Sequence, residues 1–174
     1  MKPFIGIKKI WYGDVITSAV TKTTLKTWLD TATEVENSHQ DTWAYTEDDP
    51  TYTDYINELN GSIYYRDVTQ KGAKTIAFTM GVFSFDDKVE LEGGEKVDTD
   101  AGWASSDTPG IVNKAIVGQT KTGNYIVFTN AAVIAKGNAV EKNIGLGVTA
   151  VAMENPNTGV KSDYLFDGEK VEAA

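Results

Sequence analysis

The chain has a single histidine, His39, the residue type that most often serves as a general base. A Ser-His-Asp unit needs such a base beside a nucleophile and held by an oriented carboxylate. His39 sits in the polar run Glu36-Asn37-Ser38-His39-Gln40, with no sharp nucleophile turn nearby, so a surface or turn position is expected. Gly145-Leu146-Gly147-Val148-Thr149-Ala150 matches the loose dinucleotide fingerprint G-x-G-x-x-A. That fingerprint works only where it opens a helix inside a βαβ unit of about thirty residues. Here 24 residues follow Ala150, and they read as strand, turn and strand. The glycines are expected to ease a bend or a close approach in a β-segment. Asp98-Thr99-Asp100-Ala101-Gly102 begins like a calcium loop. An EF-hand loop needs a third ligand at its fifth position and Glu at its twelfth, and these positions hold Gly102 and Pro109. A plain acidic loop is expected. Asp86-Asp87 offers the paired carboxylates that glycosidases use, but among 25 acids adjacent pairs arise by chance, and a solvated turn is expected. The absence of cysteine removes disulfides and thiolate metal sites. No catalytic, cofactor-binding or metal residue is assigned, and the chain is expected not to be an enzyme.

Charge is distributed unevenly. Nine acids lie between Asp30 and Glu58, and no Lys or Arg occurs between Lys26 and Arg66. The other sixteen acids match the sixteen bases, so the formal charge of −9 belongs to this one stretch. Such a field repels nucleic acid and attracts cations or basic surfaces. With a pI near 4.6 and no basic stripe, conventional nucleic-acid binding is not expected. The chain has 174 residues, enough for one domain over residues 1–174 with a real core. Its start carries no signal-peptide pattern, and no window approaches the ~20 apolar residues of a membrane span. A soluble product made in the cytoplasm, with no membrane segment, is expected.

The elements that must position these residues read mainly as β. A strand is expected near 8–16. Val20, Leu25, Trp28, Leu29 and Ala32 share one face at helical spacing, with an N-cap among Thr21 to Thr23, so a short helix is predicted at about 22–31. Thr42 to Thr46 reads as a strand, broken at Glu47-Asp48-Asp49-Pro50 because proline cannot donate to a ladder. Thr51 to Ile56 is again β-prone, Asn60-Gly61 signals a hairpin, and Ser62 to Val68 follows. Lys71-Gly72 reads as a turn. Ile76, Phe78, Met80 and Val82 alternate, and a phase shift toward Phe83 and Phe85 suggests a bulge at Gly81. Lys88 to Glu92 fits a strand or a helical turn. Asp98 to Gly110 reads as a loop holding Trp103. Strands are expected at 115–119, 125–129, 131–135, 148–153 and 162–166. Eight to ten short strands with one helix suit an antiparallel sandwich or barrel of two packed sheets. Trp43, Tyr45, Tyr52 and Tyr55 flank the acidic break. They suit either the core or a partner surface, since Tyr and Trp are favoured at interfaces.

The segments Thr51 to Asn60, Ser62 to Asp67, Lys74 to Met80, Leu91-Glu92-Gly93-Gly94, Trp103 and Lys121 to Phe128, in this order, resemble the phage major tail tube protein family. The resemblance runs from about Gly13 to Phe166. It implies a two-sheet, barrel-like fold with a packed helix, related to the tube protein of type VI secretion. It also implies homo-hexameric rings joined by sheet pairing and stacked into a hollow tube in the virion tail. DNA would pass down the lumen without sequence-specific binding, and tape measure and tail terminator proteins would be further partners. The loop between early strands serves ring stacking in that family. Glu47, Asp48, Asp49, Pro50, Tyr52, Asp54 and Tyr55 are therefore the candidate assembly arm. Two other readings stand beside this one: a non-enzymatic ligand-binding or effector β-sandwich, and the tube subunit of a contractile injection system with protein cargo.

Overall fold

A computed structural model describes residues 1–108 and 110–173. The loop expected from Asp98 to Gly110 includes Pro109, which lies outside the described residues. The first half of the chain forms β1 (Lys9–Gly13), α1 (Lys22–Thr31), β2 (Thr33–Glu34), β3 (Ala44–Glu47), β4 (Thr51–Ile56), β5 (Ile63–Gln70) and β6 (Lys74–Met80). The second half forms α2 (Phe85–Glu92), β7 (Glu95–Val97), β8 (Gly102–Ala104), β9 (Val112–Gln119), β10 (Tyr125–Val140), β11 (Asn143–Ala152), β12 (Asp163–Phe166) and α3 (Gly168–Glu172). The fold is mainly β and antiparallel, as expected.

Eight strands make one sheet in the order β2-β1-β9-β10-β11-β6-β3, with β12 on β10. The two ends of this path, β2 and β3, are successive parts of one chain segment. Its start pairs with β1 (Trp11 opposite Glu34), and its end pairs with β6 (Ala44 opposite Ala77). Between them the His39 N–H donates to the Thr79 carbonyl at 2.7 Å. One segment thus closes the sheet on itself, which removes most of its open edge.

β10 runs through both layers. Its first half pairs with β9 and β12, and its second half with β9 and β11. The change of partner falls at a register shift between Phe128 and Ala131. The backbone freed there is satisfied locally. The Thr129 N–H donates to the Ser162 carbonyl at 3.0 Å, the Thr129 carbonyl accepts from the Ile16 N–H at 3.0 Å, and the Asn130 carbonyl accepts from the Met153 N–H at 2.8 Å.

The core has two parts. Inside the curl, Ile76, Phe78, Met80, Ile116, Phe128, Leu146 and Val148 meet Leu91 of α2. On the other side of β1, β9 and early β10, Trp11, Val117, Tyr125 and Val127 meet Leu25 of α1 and Val171 of α3. This is why 125–128 is apolar at every position while Ile76, Phe78 and Met80 alternate. The first strand is buried on both faces, the second on one.

Helix α1 stands where the Leu25/Trp28/Leu29 spacing puts it, capped by Thr21. Other expectations are corrected. There is no bulge at Gly81: β6 ends at Met80, and Ser84 caps α2 in a reciprocal pair with Asp87. The Ser84-x-x-Asp87 box outcompetes strand continuation, so Phe85 belongs to a helix and Lys88 to Glu92 is helical. Asp98 to Ala101 form an exposed acidic turn with left-handed Asp98, Thr99 and Asp100, but the loop expected to Gly110 is interrupted, because Gly102 to Ala104 pair with β7 in a tight hairpin. Trp103 lies in β8, and its Nε1 donates to the Gly93 carbonyl at 2.9 Å. Among the described residues there are twelve strands and three helices, more than the eight to ten strands and one helix expected.

Two tyrosines tie helices to the sheet. Tyr12 OH donates to Asp87 at 2.5 Å, and Tyr125 OH donates to Glu172 at 2.7 Å. Burial first, then the neighbouring carboxylate, holds both hydroxyls well above the usual tyrosine range. The folded chain therefore keeps protons that the unfolded chain releases near pH 10. Stability is full below about pH 10 and falls as pH rises from there toward the folded values. We expect the urea midpoint to drop steadily above about pH 10 and Tyr12→Phe to flatten that drop. Phe128→Ala, which empties the inner core, should cost about 3–5 kcal/mol in the same denaturation assay.

Candidate functional site

The hairpin that closes the barrel is longer than the barrel. β3 pairs with β6 from Ala44/Ala77 to Glu47/Lys74, and β4 then pairs with β5 from Thr51/Gln70 to Ile56/Ile63. These are two parts of one ribbon. Lys71-Gly72 is therefore not a chain reversal, as the sequence suggested, but a joint where the ribbon leaves the barrel. The reversal comes at the tip, where Asn57 N–H bonds the Ser62 carbonyl and Gly61 takes φ +72°.

The joint is tight. A Cβ on Gly72 would stand 1.6 Å from the Asp48 carbonyl oxygen. The Asp48 N–H donates to the Ala73 carbonyl at 2.9 Å beside it. Glu47 and Asp163 both reach Lys74, at 3.4 and 2.6 Å. The hydrogen bond that Lys74 donates to Asp163 raises the Lys74 pKa. This cluster fastens the ribbon root to β12.

Beyond the root, every residue of β4 and β5 except Asp54 is exposed. Among the described residues, eight of the seventeen exposed large apolar side chains lie between Tyr52 and Val68. Leu59 at the tip is 95 % exposed. Cross-strand pairing puts Tyr52 and Val68 on one face and Tyr55 and Tyr65 on the other. The arm is thus apolar on both faces. Arg66 gives it an internal anchor: its guanidinium bonds Asp54 twice, at 2.6 and 2.9 Å, and lies 4.0 Å over the Tyr52 ring. That forked bond holds the Asp54 carboxyl below its usual range.

The candidate arm residues therefore fall into three places. Glu47 ends β3 at the root. Asp48, Asp49 and Pro50 form the exposed joint. Tyr52, Asp54 and Tyr55 lie on β4. The four aromatics that flank the break divide in the same way. Trp43 and Tyr45 pack against the inner core, Trp43 over Gly118 and Tyr45 6.3 Å from Phe128. Tyr52 and Tyr55 project on the arm. The sequence reading did not include Ile56, Leu59, Ile63, Tyr64, Tyr65 and Val68. Their signal was present, since a strand apolar at consecutive positions is buried on both faces, and here nothing among the described residues of the same chain buries it.

His39 lies at the barrel rim. Its Nδ1 is 3.1 Å from the Gln40 carbonyl, and its Nε2 is 3.9 Å from Glu141. No nucleophile shares these contacts. Gly145 backs onto the Met80 carbonyl in the β11–β6 ladder. Among the described residues, no group of three or more His, Cys, Asp or Glu side chains converges to hold a metal ion. Among the same residues, no helix is long and apolar enough to cross a membrane.

Neither a scan against protein-family models nor a search of curated proteins returns a match for this chain.

The contact at Gly72 is with backbone, which cannot swing aside. Gly72→Val should therefore open the root. Amide exchange is expected to speed up across β4 and β5 while β9 and β10 keep their protection.

Proposed function

We propose that this chain is a self-assembling structural subunit of a phage-type tail tube, non-enzymatic, forming hexameric rings that stack into a conduit for DNA. The observation that carries this reading is the arm: a two-stranded hairpin with apolar side chains on both faces and no cover from its own chain. A lone hairpin of this kind is marginal in water, and an exposed apolar patch of this extent marks an interaction surface. The arm needs a partner, and a subunit that supplies many copies of itself provides one.

Three further features support the reading. Among the described residues β3 pairs only with β6, and β12 only with β10, so each leaves an edge for a neighbouring copy. The outer face of β3, β6 and β11 carries Thr46, Thr75, Ala77 and Thr149, small and uncharged. The buried helix side chains Leu25, Leu91 and Val171 all lie in the two cores instead. A face with few cations, Lys136 of β10 opposite Gly147 being one, suits the wall of a channel through which a polyanion must slide, because lysine and arginine would hold its phosphates. The excess of carboxylates acts in the same direction. On this reading the product is made in the bacterial cytoplasm and ends in the virion tail, with tape measure and tail terminator proteins as its other contacts.

Negative-stain microscopy of the concentrated protein is the test. Rings or tubes with a central pore are expected, and compact particles at every concentration would overturn the proposal. The Asp48→Lys, Asp49→Lys double variant should keep the monomer's melting temperature, because both sites are exposed, and should shorten or abolish the stacks.

A further inference from the structure

We propose that the arm of one copy docks in a lysine-rimmed groove on a second copy, in a head-to-tail contact; the inference rests on the assembly reading above and names the receiving surface. The groove, about 540 Å³, lies where the N-terminal segment, the β9–β10 turn and α3 meet. Lys2, Lys8 and Lys9 stand around it, over Trp11 and Tyr125. It also contains two carboxylates, and both are engaged within the chain. Glu169 pairs with Lys2 at 3.0 Å, and Glu172 accepts from Tyr125 OH at 2.7 Å. Lys9 pairs with Glu34 at 3.0 Å across exposed surface, a contact that exchanges readily. Lys8 has no ion pair among the described residues.

Charge complementarity selects this partner. The first 26 residues contain five lysines and one acid, Asp14, and part of that segment builds the groove. Residues 48–71, the joint and the arm, carry Asp48, Asp49, Asp54, Glu58 and Asp67 against Arg66 and Lys71. Two arms facing each other would bring carboxylates together, which disfavours a symmetric contact. Arm and groove share no residue, so their contact is heterologous. A heterologous contact propagates from copy to copy rather than closing at two. At the tip, the exposed Leu59 sits beside Glu58, an apolar knob with a carboxylate flank. The groove offers the converse charge, an ammonium rim above the nearly buried Trp11 and Tyr125.

The chain has no cysteine, so each introduced thiol is unique. Ser62→Cys marks the arm tip and leaves its charges and apolar groups in place. Glu169→Cys marks the groove and removes one competing carboxylate. The two variants are mixed in equal amounts, oxidised and run on a non-reducing gel, with microscopy of the same samples. The expected result is a disulfide dimer at least tenfold above either variant alone. It should weaken several-fold when Lys8→Glu is added to the groove variant. It should also weaken when salt is raised from about 0.1 M to 1 M, since the screening length then shrinks from about 10 Å to 3 Å. Ser62→Cys paired with Lys142→Cys, at the β10–β11 turn, is the control. Cross-linking at Lys142→Cys instead, arm-to-arm dimers of Ser62→Cys alone, or tubes without the Ser62–Glu169 bond would overturn the groove and leave the tube reading standing. Compact monomers with no bond of any kind would overturn both.

Discussion

Closure of the barrel by one continuous segment is the constraint on which the other features depend. Residues 33 to 47 pair with β1 at one end and β6 at the other, so the ribbon that follows is anchored before it leaves the body. A sheet closed this way has a fixed depth, and a hairpin longer than that depth must project. The arm is therefore a geometric consequence of closure, aimed by the Gly72–Asp48 approach and by the Lys74 pairs at its root.

Closure also explains how burial is shared. β1, β9 and early β10 divide the interior from the helical layer, so they are apolar on both faces. β6 and β11 face the interior on one side only. At the place where β10 changes partner, Thr129, Asn130 and Asn155 are buried polar residues. The Thr129 and Asn155 side chains bond the Lys161 and Ile16 carbonyls of the segments that lie against this shift. The tyrosine–carboxylate contacts then fix α2 and α3 to strands from opposite cores. Buried polar groups serve here as joints between layers rather than as reactive groups.

The arm inverts this economy. It buries little and exposes Tyr, Ile, Leu and Val on both faces. Within one copy this surface is a hazard, because open strands with apolar faces invite pairing with other chains. Acids at its root and tip oppose indiscriminate association, since like charges repel. A partner with lysines satisfies the charge and the apolar surface together. The proposed tube and the proposed groove both follow from that requirement.

Much of this was determined by the sequence alone. The Leu25, Trp28 and Leu29 spacing placed α1, Thr51 to Ile56 and Asn60-Gly61 placed the hairpin, and the run without bases from Lys26 to Arg66 marked where the charge lies. The first two are local signals, carried by residues within a few positions of one another, and the third is a matter of composition. The tertiary structure decided the rest. Val82, Phe83 and Phe85 suit a strand by alternation, but the Ser84–Asp87 box made a helix. Glu141 and Lys142 turn β10 into β11 with positive φ at both residues, a turn that no glycine announced. Trp43 and Tyr45 went to the core and Tyr52 and Tyr55 to the arm, although all four flank the same acidic break. Which side a side chain takes depends on where the ribbon leaves the barrel. That point is set by the β3–β6 pairings, from Ala44 opposite Ala77 to Glu47 opposite Lys74, whose register local periodicity does not encode.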